Sequence, residues 1–146
     1  NYRFTEIQAL MGLMQLKNLN KFINQRLRIS KVYDNILKIA IKEKKIRIIK
    51  TSSNIVNPRW RYIVFLLKKQ KREKIKTAMK KKSISIDWAY NPLVHLQPVM
   101  KKYFSNKKGM LKFSENLSQT HVNLPIHYGI SIKQANFIAN TFLDNI

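Results

Sequence analysis

The sequence predicts an α+β fold, with two N-terminal helices followed by a small sheet that carries helices on one face. Three features point to it. Two segments have the capping-box form, apolar residues recur at helical spacing through residues 1–45, and short β-branched stretches alternate with helical or turn-forming ones through residues 46–146. A chain of 146 residues with 45% apolar content is the size of one domain with a real core. Residues 1–45 are read as its helical part and residues 46–146 as an α/β layer.

The first helix starts at Thr5-Glu6-Ile7-Gln8, where a threonine hydroxyl and a glutamine side chain can satisfy each other's backbone amides. Ile7, Leu10, Met11 and Met14 then form one apolar stripe, predicted to be buried, and Gly12 offers a neighbouring element close approach. Asn18 and Asn20 predict an interruption, with Asn20 capping a second helix whose Phe22, Ile23, Leu27, Ile29 or Ser30, Tyr33 and Leu37 face inward.

Ile46 to Ile49 reads as a short strand, Thr51 to Pro58 as a loop, and Trp60 to Leu67 as the central strand. Gln70 to Lys82 is an amphipathic helix with Ile75, Ala78 and Met79 on one side, and Ser83 to Trp88 alternates as a further strand through Ile84 and Ile86. Ala89 to Gly109 carries Pro92, Pro98 and Gly109 and predicts a long ordered loop or short helical turns, the place where function is expected to concentrate. Leu111 to Leu117 reads as a short helix and Thr120 to Leu124 as a strand. Ser131 to Gln134 repeats the capping box before a closing helix with Ala135, Ile138 and Phe142 inside.

Composition narrows the chemistry. There is no cysteine, so disulfides are excluded, thiolate zinc sites cannot form and no metal site is expected; the usage fits a reducing cytoplasm. No apolar run approaches the roughly 18 residues that span a bilayer, and no membrane partner is expected. The chain opens at Asn1 directly before a helix signal, as a piece cut from a longer polypeptide would. Its formal net charge is +22, and 17 of its 29 basic residues lie between Lys38 and Lys82 beside only Glu43 and Glu73. Such a face either binds nucleic acid, with Trp60, Tyr62 and Trp88 as stacking platforms, or is the solvated surface of a lysine-rich protein.

Asn1-Tyr2-Arg3-Phe4-Thr5-Glu6-Ile7-Gln8-Ala9, followed by Gly12-Leu13-Met14-Gln15-Leu16, resembles a signature segment of the DegT/DnrJ/EryC1/StrS sugar aminotransferases. The resemblance continues in family order through Arg26 to Asp34, Trp60-Arg61-Tyr62, Tyr90-Asn91-Pro92-Leu93-Val94-His95-Leu96-Gln97-Pro98 and Leu124-Pro125-Ile126-His127-Tyr128-Gly129-Ile130. It implies the small C-terminal domain of a fold-type I, aspartate aminotransferase-like transferase. That domain has a mainly antiparallel sheet and a leading interdomain helix, and the large domain that binds pyridoxal 5'-phosphate is absent from this chain. The lysine that carries the cofactor would lie upstream, so no catalytic residue is assigned here, and the chain alone is expected to be inactive.

The resemblance also implies that Asn1 reaches across a homodimer to the phosphate of the neighbour's cofactor. Arg3 either adds charge there or pairs on the surface. Tyr90 and His95 would meet a sugar or diphosphate substrate, His127 is read as fixing a turn, and His121 receives no role. Met100 and Tyr128 depart from the family pattern, which bears on the sugar rather than the family. The implied reaction moves an amino group from glutamate to a keto group of a nucleotide-linked sugar. The alternatives are a small nucleic-acid-binding protein and a non-catalytic dimerisation module.

Overall fold

The computed structural model describes residues 3–52, 54–67, 72–89, 91–103 and 108–146. The first element, α1, is a single helix of 37 residues, Glu6–Lys42. Its start follows the capping-box expectation: the Gln8 amide donates to Thr5 Oγ1 at 3.3 Å and the Thr5 amide donates to Gln8 Oε1 at 3.0 Å. The predicted interruption at Asn18 and the separate helix from Asn20 do not occur. Asn18 Nδ2 donates to the Met14 carbonyl one turn back at 3.0 Å, so its side chain bonds within the helix instead of competing with it. An asparagine costs a helix only about 0.7 kcal/mol relative to alanine, too little to break one whose far half is packed.

The buried part of α1 is that far half, where Ile29, Ser30, Tyr33, Leu37 and Ala40 are enclosed. Phe22, Ile23 and Leu27, also expected to face inward, are half-buried. The stripe nearer the N-terminus is not buried within this chain: Ile7, Leu10, Met11 and Met14 are 73%, 62%, 61% and 58% exposed. Nothing stands within 4 Å of the place where a side chain on Gly12 would sit. The reason is length, because Glu6 lies roughly 35 Å along the axis from Ile29, outside the packed layer.

Three strands form an antiparallel sheet in the order β1 (Ile46–Ile48), β2 (Tyr62–Leu66), β3 (His121–Leu124). The register pairs Ile46 with Leu66, Ile48 with Val64, Tyr62 with Leu124 and Val64 with Val122, which puts these seven side chains on one face. The Tyr33 ring packs edge-on against Tyr62 on that face, with centroids 4.9 Å apart. The closing helix α4 (Ile132–Leu143) packs against α1 and adds Ala135, Ile138 and Phe142 to the same core. Its Ser131 cap forms the expected capping box with Gln134.

Two shorter helices connect the strands, α2 (Arg72–Lys81), which buries Ile75 and Met79, and α3 (Lys112–Thr120). The strand predicted over Ser83 to Trp88 is not formed. Its alternation is present, with Ile84 and Ile86 buried, but it meets β3 through one bridge, Asp87 to Asn123. The amides of Ser83 and Ile84 are spent on the end of α2, donating to Lys80 and Met79, so only Asp87 reaches the sheet edge.

These burials make unequal demands on stability. Phe142→Ala should cost about 3–5 kcal/mol in urea unfolding, as deletions of buried aromatics do. Leu10→Ala should stay within about 0.5 kcal/mol. Equal effects would place the two residues in equivalent environments and contradict the described packing.

Candidate functional site

Among its described residues, the segment expected to concentrate function forms two short 3₁₀ turns, Val94–Leu96 and Pro98–Lys102. His95 lies in the first turn and is 8% exposed. Its Nε2 stands 3.2 Å from Glu115 Oε1. An ionised carboxylate only accepts, so this contact places a ring proton on Nε2; in the neutral ring Nδ1 is then the acceptor.

Glu115 gathers further donors. The Gly109 amide points at both of its oxygens, at 2.9 and 2.8 Å, and the Leu111 amide donates to Oε1 at 3.1 Å. Leu111 occupies the cap position of α3 and makes no side-chain cap bond, and the carboxylate one turn later takes up its amide together with that of Gly109 just before the helix. Gly109 has φ +91, a left-handed conformation that a residue without Cβ adopts at little cost. The Gly109 amide is the main influence holding the Glu115 carboxyl below the usual carboxylate range. Partial burial opposes it, and Leu111 and His95 add to it.

The start of the same segment is fixed by His121. Its Nδ1 lies 2.9 Å from the Leu117 carbonyl, and its Nε2 accepts the Ala89 amide at 3.2 Å. Bonded at both nitrogens, the ring is a neutral Nδ1–H tautomer that ties the loop to the end of α3. His127 holds a turn, as expected, with Nδ1 accepting the Gly129 amide at 3.2 Å.

Of the four residues singled out by sequence, Asn1 and Tyr90 lie outside the described residues. Arg3 is exposed just before the solvent-facing half of α1, whereas His95 is buried against α3. Glu115 and His121, which position the loop, were not marked by any sequence motif; their partners are 20 and 32 residues away in sequence. Of the three aromatic platforms, Tyr62 is fully buried, and the half-buried Trp88 has Arg72 and Lys76 over its ring at 4.4 and 4.6 Å. Trp60, at 64% exposure, faces solvent. Among the described residues no group of three or more His, Cys, Asp or Glu is placed to hold a metal. Among them also, no helix is long and apolar enough to cross a membrane.

The Glu115 clip has a defined acid limit. A carboxyl held low contributes fully above its unfolded value of about 4.3, and that contribution is lost as pH falls through the lower folded value. The Gly109 amide resonance should therefore shift in acid below about pH 4. Glu115→Ala should remove that titration and speed exchange of the Gly109 and Leu111 amides. An amide insensitive to both acid and substitution would show that the carboxylate does not hold the loop.

Comparison with known proteins gives this geometry a context. The model of the DegT/DnrJ/EryC1/StrS aminotransferase family matches residues 1–143. GDP-perosamine synthase of Escherichia coli O157:H7 is 25% identical over 141 residues, covering 97% of this chain and 36% of that protein. An uncharacterized protein of Methanocaldococcus jannaschii is 29% identical over 130 residues, covering 86% of this chain and 32% of that protein. The chain thus spans about a third of the length of the curated relatives it matches. Among solved structures, Helicobacter pylori PseC, an aminotransferase involved in pseudoaminic acid biosynthesis, superposes with a TM-score of 0.85 at 22% identity, covering 99% of this chain and 38% of that one. A DegT DnrJ EryC1 StrS aminotransferase from Brucella abortus gives 0.81 at 23% identity, covering 97% and 36%. The α+β fold with its three-stranded antiparallel sheet is therefore shared with part of these enzymes, and the chain belongs to the DegT/DnrJ/EryC1/StrS aminotransferase family.

Proposed function

We propose that the chain is the C-terminal small domain, with its leading helix, of a pyridoxal-phosphate-dependent nucleotide-sugar aminotransferase. The whole enzyme works as a cytoplasmic homodimer and moves an amino group from glutamate to a keto-sugar, for amino-sugar or cell-surface polysaccharide synthesis. The observation that carries this reading is the family match over residues 1–143 on a chain whose first helix leaves its apolar N-terminal half bare. The names of the E. coli and H. pylori proteins, GDP-perosamine synthase and an aminotransferase involved in the biosynthesis of pseudoaminic acid, support the substrate class.

Pyridoxal phosphate supplies the electron sink of amino transfer when bound. Among the described residues, Arg3 suits its phosphate, being an exposed guanidinium ahead of α1. Asn1 adds an amide donor for the phosphate held by the neighbouring subunit. The groups that would hold the ring are assigned to the two thirds of the relatives that this chain does not cover.

His95 has a narrower part than its type allows. Its Nε2–H is committed to Glu115, so in the neutral ring a substrate meets an acceptor at Nδ1. An acceptor suits a sugar hydroxyl and repels a diphosphate. On this reading His95 Nδ1 accepts a hydrogen bond from a sugar hydroxyl, Tyr90 is a second substrate contact, and the Glu115 clip sets the position of the His95 turn. The basic residues of α2, Lys74, Lys76, Lys80 and Lys81, are exposed and attract the anionic nucleotide over roughly one Debye length, about 8 Å at physiological salt.

Two tests bear on this reading. After incubation with pyridoxal phosphate and dialysis, the chain alone should keep no cofactor absorbance, whereas the full-length polypeptide should keep it and lose much of it in Asn1→Ala. Retention by the chain alone, or full retention in the variant, would contradict the assignment. In the full-length enzyme His95→Ala should raise the KM for the sugar about 3- to 10-fold, the worth of one hydrogen bond, with the glutamate KM unchanged. An equal loss for both substrates would remove the sugar-hydroxyl role.

A further inference from the structure

Where β3 passes the segment after α2, Trp60, Arg61, Ser85, Asp87, Asn123 and Pro125 surround a cleft of about 240 Å³. This is below the roughly 300–1,000 Å³ of most small-molecule sites, room for one ring and not for a nucleotide. Its floor is a polar group taken almost wholly out of water: Asn123 is 6% exposed. The Nδ2 of Asn123 donates to Asp87 Oδ1 at 2.8 Å, while its Oδ1 has no hydrogen-bond partner. Arg61 Nε is likewise buried and unpartnered. The Arg61 guanidinium lies over the Trp60 ring, 4.5 Å from its centroid, with Nη1 3.8 Å from Asp87 Oδ1.

The set of groups selects among ligand classes. A simple anion would meet Arg61 but also the Asp87 carboxylate, and a simple cation would meet the reverse conflict. A wholly apolar ligand would cover Asp87 and Arg61 without bonding them, which native sites avoid. What satisfies a carboxylate as acceptor, a guanidinium as donor and a serine hydroxyl as either is a ring of adjacent hydroxyls. Each hydroxyl both donates and accepts. The apolar C–H face of such a ring also matches the exposed indole of Trp60 and the Pro125 ring.

We propose that this cleft binds a single pyranose. Trp60 supplies the platform, the exposed Asp87 carboxylate accepts from neighbouring hydroxyls, and the Arg61 guanidinium donates to a ring or hydroxyl oxygen. The site involves neither His95 nor any cofactor, and it stands whether or not the amino-transfer reading holds.

The test is calorimetric titration of the intact protein with methyl α-D-glucopyranoside, methyl α-D-mannopyranoside and methyl β-D-galactopyranoside, with uridine as a planar-base comparator. At least one pyranoside should bind saturably with a dissociation constant of about 1–10 mM. Trp60→Ala and Asp87→Ala, both at exposed side chains, should each weaken it about tenfold, roughly 1.4 kcal/mol. Thermal melts of both variants establish that they are folded. Three outcomes overturn the proposal: no saturable binding of any pyranoside, pyranoside binding that neither substitution weakens, or uridine bound in place of the sugars.

Discussion

One residue pair on α1, Tyr33 and Asp34, holds together parts of the chain that lie far apart in sequence. The Tyr33 hydroxyl donates to the Pro125 carbonyl at 2.6 Å, and the Tyr62 hydroxyl donates to Asp34 Oδ1 at 2.6 Å. Neither phenol is exposed, and their rings meet edge to face. Burial pushes both hydroxyls well above the ordinary tyrosine range, and Asp34 adds to the effect at Tyr62. Two neighbouring helix residues thus grip the central strand and the turn after β3, each through a satisfied buried hydroxyl. Placing β3 in turn places His121, which holds Ala89, and Asn123, which holds Asp87. The long loop and the small cleft both inherit their positions from this contact.

How much of this was legible in the sequence depends on the range of the interaction. Both capping boxes, at Thr5 and Ser131, were readable because a cap is made within four residues. The inward positions Tyr33, Leu37, Ile75, Met79 and Phe142 followed from periodicity, and the central place of β2 from its apolar run. The continuity of α1 was not readable, since an asparagine can cap a new helix or bond back into an existing one, and only packing elsewhere decides. The segment at Ser83 shows the same limit. Alternation announced which side chains are buried, but whether a ladder forms depends on which amides α2 has already used.

The site was legible to a similar degree. His95 stood out through its motif, but the tautomer that limits its chemistry is set by Glu115, 20 residues later, and no local pattern marks that glutamate. The cleft beside Trp60 draws on residues from three separate stretches of chain and has no sequence signature of its own. Tyr62, grouped by sequence with the exposed aromatics, is a core residue, because on a strand its side chain points opposite to that of Arg61.

The solvent-facing half of α1 is where fold and family meet. A helix bearing Ile7, Leu10, Met11, Leu13, Met14 and Leu16 at 58% exposure or more, with Phe4 exposed just ahead of it, is an apolar surface of the kind that marks an interface. The chain covers about a third of its relatives' length, and on the reading proposed above the remainder of the aminotransferase covers this surface. Amide hydrogen exchange along α1 tests this most directly. In the isolated chain, residues 29–40 should be protected with the sheet and α4 while residues 6–20 exchange quickly; in the full-length polypeptide both stretches should be protected. Slow exchange along the whole helix of the isolated chain, or fast exchange of residues 6–20 in both forms, would contradict the account.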